Sequence, residues 1–278
     1  MSSLPVSLGV DPGRPCKLIQ LSDLHLPALR QQQYCERDVE QQLLRVLAHI
    51  EQHHPDLDGL LLSGDLIHQG HSDAYRRLAG YLSRFDKPWY WIAGNHDSHA
   101  AMRRIRPDQP VSLCCNGWRI LLLDSTSAAD GLGSGSLPDS ELQRLQGQLQ
   151  SAQEAGEALV LVLHHHPVPV QSRWQDQIML GNAERLWQLL DRYRVPITLL
   201  FGHVHQVWEM SREHVRLLSC PSTAVQYVRG QAELRIETEG DAALPGYRWL
   251  ILEPAAALDQ TNLNKCWPRS AVERVRLD

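Results

Sequence analysis

The chain carries no excess of positive charge: 27 Lys and Arg stand against 32 Asp and Glu in 278 residues, a net charge of −5. Such a surface has no general attraction for nucleic acid or an anionic membrane, so a phosphate-bearing substrate must be drawn in locally, and metal ions are one way to do that. The six cysteines (Cys16, Cys35, Cys114, Cys115, Cys220 and Cys266) include no Cys-x-x-Cys pair and no framework rhythm. That favours free thiols in a reducing cytoplasm over disulfides. No apolar run approaches the roughly 20 residues of a membrane-spanning helix, and Met1 to Pro15 lacks a basic region followed by an apolar core. Neither a transmembrane segment nor a signal peptide is expected. The glycine-rich stretch Gly131 to Ser136 lacks a P-loop lysine and the spacing of a dinucleotide fingerprint, and reads as a connector. There is no repeat of fixed period and no low-complexity tract.

What remains is an ordinary globular composition, 43% hydrophobic, with histidine as the outlier at 14 residues, many of them clustered. The length suits one substantial α/β domain or two small ones. Residues 1–16, rich in proline and glycine, read as a leader. Residues 17–258 read as a single domain, and residues 259–278, poorly periodic, as a tail. Apolar strands at 17–21, 57–62, 89–93, 118–123, 158–163 and 197–201 alternate with amphipathic helices at 33–54, 72–85, from about Pro138, and 183–194. Beyond residue 205 the pattern changes. Segments 215–219, 233–238 and 247–252 read as strands without intervening helices, expected to add antiparallel strands to a second sheet.

The chemistry sits where strands end. The run Trp89 to Ala93 leads into Gly94-Asn95-His96-Asp97, where the glycine turns the backbone and the next side chains project from the strand's carboxyl end. Asn95 offers a neutral oxygen ligand, His96 a proton carrier, and Asp97 a hydrogen-bond partner for an imidazole. Asp23-Leu24-His25 follows the first strand, with two ligand types on one side of an extended chain. Ser63-Gly64-Asp65, His164-His165-His166 and Gly202-His203-Val204-His205 end three more. Taken singly each has a plainer reading: a surface turn for Asp23-x-His25, a helix cap for Asp65, exposed loop residues for His68 and His71. A solvated helix face is the plainer reading of Arg103, Arg104 and Arg106.

Together, Asp23, His25, Asp65, Asn95, His164, His203 and His205 exceed one ion's needs and match two ions sharing a carboxylate. The absence of cysteine among them argues against a structural zinc site. Imidazole plus carboxylate suits iron, manganese, zinc or cobalt. Two ions roughly 3.5–4 Å apart serve in-line displacement at phosphorus. His96 then fits the proton donor for the leaving oxygen.

These five ordered motifs resemble the calcineurin-like metallophosphoesterase family over residues 17–205. The resemblance implies a four-layered α/β/β/α sandwich, with two mixed β-sheets flanked by helices. Within the family the chain looks like the bacterial class III 3′,5′-cyclic AMP phosphodiesterases. That finer likeness rests on Leu163 to Pro169, Trp174-Gln175-Asp176-Gln177, Pro221 to Gln226, and Pro245-Gly246-Tyr247-Arg248. Leu66-Ile67-His68-Gln69-Gly70 departs from the Asp-Arg-Gly of the serine/threonine phosphatase branch, which disfavours protein phosphatase activity.

Carried over position by position, the resemblance implies Asp23, His25, Asp65 and His205 on one metal, usually iron. It implies Asp65, Asn95, His164 and His203 on the second, often manganese or another divalent ion. His164, as first of the pair, is preferred to His165, although His166 stands where relatives often have proline. His25, Asp65, Asn95, His96 and His205 are expected around the substrate phosphate. The implied reaction is hydrolysis of 3′,5′-cyclic AMP to 5′-AMP, by a bridging hydroxide with His96 as general acid and Asp97 orienting His96. A broader diesterase acting on 2′,3′-cyclic nucleotides, glycerophosphodiesters or nucleic-acid ends, and a non-catalytic scaffold, are the alternatives. The expected partner is a small cyclic nucleotide, with neither nucleic acid nor membrane involved.

Overall fold

The computed structural model describes residues 4–69, 72–254 and 267–277; His71, Cys266 and the first part of the segment 259–278 lie outside the described residues. Two sheets pack face to face. The smaller orders its strands as β12 (Arg269–Arg274), β11 (Gly246–Leu252), β2 (Cys16–Leu21), β3 (Gly59–Ser63) and β4 (Trp89–Ile92). The larger has seven: β1 (Val6–Ser7), β5 (Ser112–Cys115), β6 (Trp118–Leu122), β7 (Ala158–Val162), β8 (Ile197–Phe201), β10 (Val215–Ser219) and β9 (Glu209–Arg212).

Period-two alternation assigns each strand residue to a layer. Leu18, Leu61, Tyr90 and Ile92 of one sheet meet Trp118, Ile120, Leu122, Val160, Val162 and Leu200 of the other, forming a core between the sheets. The opposite residues face outward. Ile19, Leu21, Leu60, Leu62, Trp89 and Trp91 lie under helices α1 (Val39–His53), α2 (Ser72–Leu82) and α3 (His99–Ile105). Leu159, Leu161, Ile197, Leu199 and Phe201 are covered by α4 (Asp139–Ala155) and α6 (Ala183–Leu190), with the one-turn helix α5 (Arg173–Asp176) between them in sequence. The result is the expected α/β/β/α sandwich, and both sheets are mixed.

The structure revises several boundaries. Helix α1 starts at Val39 because Asp38 accepts a hydrogen bond from the Gln41 amide, 3.0 Å, as an N-cap. Residues 33–37 instead make a turn, with Cys35 and Glu36 at positive φ. Residues 215–219 pair in parallel with β8 in the larger sheet, so they are not an antiparallel addition to the second one. In 233–238 there is only an isolated bridge, Tyr227 to Ile236. Residues 246–252 do pair antiparallel with β2. The low-periodicity segment at the end contributes β12 along β11, and the leader contributes β1. Both are edge strands without a strong alternating pattern. Cys16, Cys35, Cys114, Cys115 and Cys220 are free thiols, and among the described residues no helix is long and apolar enough to cross a membrane.

Trp118 is the largest fully buried side chain between the sheets, and its indole nitrogen donates to the Glu253 carbonyl at 2.6 Å. Trp118→Ala is expected to lower stability by about 3–5 kcal/mol, read as a drop in the urea midpoint with an unchanged m-value.

Candidate metal centre

Strands β2, β3 and β4 run parallel, as do β6, β7 and β8, so the carboxyl ends within each set point the same way. The loops leaving those ends are stitched together by main-chain bonds. The Asp23 amide donates to the Gly64 carbonyl (3.0 Å), His25 to Asp65 (2.9 Å) and Gly202 to His164 (3.2 Å). Five of the seven expected ligands, Asp23, His25, Asp65, His203 and His205, have φ between 46° and 68°. Non-glycine residues in that region are each strained by about 1–3 kcal/mol, and here the surrounding hydrogen bonds hold them in place. Gly64, at φ +95°, cannot be replaced without trouble: a Cβ there would lie 2.5 Å from His164 Nδ1.

All seven expected ligands come together. His25 Nε2 lies 3.1 Å from His205 Nε2 and 3.7 Å from Asp65 Oδ2. His205 Nε2 lies 3.4 Å from Asp23 Oδ1. On the other side His164 Nε2 is 3.3 Å from Asp65 Oδ2 and 3.1 Å from Asn95 Oδ1, and His203 Nδ1 is 3.1 Å from His164 Nε2. Two donor groups therefore form, Asp23 with His25 and His205, and Asp23 with Asp65 and His164, with Asp65 reaching toward both histidine sets.

The outer nitrogens of these imidazoles show that the inner ones are suited to cations. His164 Nδ1 sits 2.8 Å from the Ser63 carbonyl, His205 Nδ1 2.7 Å from the Val225 carbonyl, and His203 Nε2 3.1 Å from the Ile178 carbonyl. A carbonyl only accepts, so each of those nitrogens carries the proton. With both rings neutral, the opposite nitrogens, His164 Nε2 and His203 Nδ1, would present lone pairs to one another. Such a pair is repulsive unless a cation lies beside it, and backbone-anchored imidazoles of this kind are typical metal ligands. Burial opposes charge on His164, but the Asp65 carboxylate outweighs it and raises its pKa to about 9. The site calls for positive charge.

Asp97 does not do what its position suggests. Its carboxylate accepts from the amides of Leu66 (3.1 Å), Ile67 (3.2 Å) and Gly94 (2.9 Å) and from the Tyr75 hydroxyl (2.7 Å). It clamps the β3 and β4 loops together. Burial first, and then the nearby Asp65 charge, push its pKa up to about 6. The His96 imidazole is held instead by the His68 carbonyl, 3.0 Å from Nδ1, and the His96 amide donates to Asp65 Oδ1 at 2.9 Å.

Two tyrosines here were hidden in the sequence. Tyr34 stacks on His25 (ring centroids 4.5 Å apart) and Tyr227 on His205 (4.2 Å), and their hydroxyls are 3.3 Å apart. Neither tyrosine belongs to a motif of ligand type. His165 is a neighbour of the site: its Nδ1 is 2.8 Å from Ser125 Oγ and its Nε2 3.2 Å from the Gly133 carbonyl. Gln175 donates to the Val204 carbonyl at 2.8 Å, and Gln206 donates to the Gln175 side-chain oxygen at 3.0 Å, bracing the His203–His205 turn.

Residues 16–207 match the family model of calcineurin-like phosphoesterases. Among curated proteins, the chain is 36% identical over 248 residues to the 3′,5′-cyclic adenosine monophosphate phosphodiesterase CpdA of Pseudomonas aeruginosa, covering 87% of each chain. It is 32% identical to the CpdA of Escherichia coli K12, again over 87% of each. To a 3′,5′-cyclic-nucleotide phosphodiesterase of Nostoc it is 33% identical, covering 86% of this chain and 88% of the other. A dimetal phosphatase from Danio rerio has a similar fold at 13% identity, with a TM-score of 0.64 over 96% of this chain and all of that one. GAP50, described as the anchor in the inner membrane complex of Plasmodium, shares the fold at 11% identity and a TM-score of 0.60, over 95% and 90%.

Asp97→Ala is expected to lower stability by about 2–4 kcal/mol, since it leaves three partly buried amides and a hydroxyl without an acceptor. Denaturant unfolding of the metal-free variant checks this. Unchanged stability would mean that Asp97 is no clamp.

Proposed function

The chain belongs to the calcineurin-like phosphoesterase family and is a metal-dependent phosphodiesterase, and on that premise we propose that it hydrolyses 3′,5′-cyclic AMP to 5′-AMP in the cytoplasm. The observation that carries the reading is the pair of imidazole–carboxylate groups that share Asp23, with Asp65 Oδ2 between His164 and His25 and His96 beside them. The identity of the curated relatives, over most of both chains, supports the choice of substrate.

Asp23, His25, Asp65 and His205 would hold one ion, and Asp65, Asn95, His164 and His203 the second. Iron with manganese, iron, zinc or cobalt suits these nitrogen and oxygen donors. When bound, the ions supply an activated water and neutralise charge on the phosphoryl oxygens. The chain's own part is positional and acid–base. Asn95 and His96 follow one another at the end of β4, so the diester is oriented by the same short loop that carries the proton donor. His25, Asp65 and His205 line the phosphate's other side.

The His68 carbonyl occupies His96 Nδ1 as an acceptor, so Nδ1 keeps its proton and the transferable one in the imidazolium is on Nε2. That proton goes to the departing 3′-oxygen. Because an alkoxide is a poor leaving group, general acid catalysis of this kind is worth about 10²–10⁴ in rate.

Turnover of metal-loaded protein on 3′,5′-cyclic AMP, 2′,3′-cyclic AMP and bis(p-nitrophenyl) phosphate tests the reading. Formation of 5′-AMP that Asp65→Ala and chelation both abolish is the expected result. Cleavage of the second and third substrates alone would keep the site and move the substrate to a broader diester class. His96→Ala is expected to retain metal, lose about 10²–10⁴-fold on cyclic AMP, and lose little on the aryl diester, whose leaving group needs no proton.

A further inference from the structure

His68 lies at this centre outside both the ligand set and the proton donor. Its amide donates to the Leu26 carbonyl at 2.9 Å, within a short parallel bridge between the loops that follow β2 and β3. That bond fixes the backbone. The ring is fixed by packing alone: it lies 5.1 Å from the His96 ring at 27°, 5.7 Å from the His25 ring edge-on, and 4.6 Å from the Tyr34 ring.

No hydrogen bond restrains the His68 ring, and its Nδ1 is buried without a partner. Buried polar atoms of this kind normally have a partner, so a missing ligand atom is a natural explanation. The geometry says which kind. One nitrogen from each of His25, His68 and His96 lies within 4.8 Å of the other two. An atom placed at the centre of such a triangle is at most about 2.8 Å from each corner, within reach of a hydrogen bond to oxygen.

We propose that His68 binds substrate, donating a hydrogen bond to a non-bridging phosphoryl oxygen of the diester on the side of the centre formed by His25. The proposal rests on the phosphodiester reading for the class of ligand, and not on cyclic AMP as the particular substrate. Three imidazoles with no carboxylate among them favour an anionic oxygen over a third cation. Tyr34, stacked on His25 and packed on His68, keeps the His68 ring from turning away. The non-bridging oxygens are common to every phosphodiester, so this contact acts on all substrates alike, whereas His96 discriminates by leaving group.

The experiment compares wild type, His68→Ala and His68→Gln in the fully metal-loaded protein. Metal content is measured first, then steady-state kinetics on cyclic AMP and bis(p-nitrophenyl) phosphate, then orthophosphate binding by calorimetry. The expected result is two metals per chain in all three proteins. His68→Ala is expected to lose on the order of tenfold in kcat/KM on both diesters and a similar factor in orthophosphate affinity, as for one hydrogen bond to a charged group. His68→Gln, which keeps a donor amide, should recover much of both.

Wild-type kinetics and phosphate affinity in His68→Ala would overturn the proposal. So would loss of a metal equivalent, which would make His68 a ligand, or a defect confined to cyclic AMP, which would make it an accessory of His96. If wild type fails on cyclic AMP, the aryl diester and orthophosphate still report on His68, so the two readings fail separately.

Discussion

The Asp65 carboxylate is the constraint around which this molecule is arranged. One oxygen approaches His164 Nε2 at 3.3 Å and His25 Nε2 at 3.7 Å, and the other accepts the His96 amide at 2.9 Å. It ties candidate ligands of both sheets and the loop that carries His96 to one point. A carboxylate so deeply buried, among imidazoles whose outer nitrogens are already committed to carbonyls, is stable only with positive charge beside it. The fold supplies the geometry and leaves that charge to be provided by metal.

Packing the sheets face to face is what makes this possible. Asp23, Asp65 and Asn95 come from the smaller sheet, and His164, His203 and His205 from the larger. The core between them, with Trp118 its largest fully buried side chain, sets the spacing of the two halves. Small errors there would be felt as misplaced ligands, because dense interiors transmit displacement with little damping. The left-handed backbone at five ligands has the same origin. Each turn must reverse its side chain into the shared crevice within one or two residues, and the main-chain bonds between neighbouring loops hold that strain. Such a scaffold does not by itself dictate activity, which resides in the side chains placed on it.

Much of the centre was legible because strand-end clusters combine two local signals, an apolar run and a change to ligand residues after glycine. Asp65, Asn95, His203 and His205 carry both signals, Asp23, His25 and His164 carry the strand-end position alone, and the structure brings all seven together. Asp97 is the exception. Adjacent to His96 in sequence, it turns the other way and binds three amides and a hydroxyl of the neighbouring loops. Tyr34 and Tyr227 are nearly two hundred residues apart and meet over His25 and His205, a pairing with no local trace. The backbone carbonyls of Ser63, Ile178, Val225 and His68, which set the tautomers of the imidazoles, have no residue-type signature at all.

Sequence alone determined the alternation of strands and helices, the candidate metal-ligating side chains and the chemistry open to them. These follow from the periods of side-chain direction and from functional groups, both properties of short stretches. Only the tertiary structure decided that 215–219 pairs in parallel with β8, and where the edges fell: β12 at one edge of the smaller sheet, β1 and β9 at the edges of the larger. Edge strands face solvent on one side and need no strict alternation, so pairing with a neighbour defines them. The tertiary structure likewise decided that Asp97 clamps loops, that a carbonyl holds His96, and that His68 turns its ring toward the centre. In each case the deciding partner lies in another loop, and its distance in space is not written in the order of the residues.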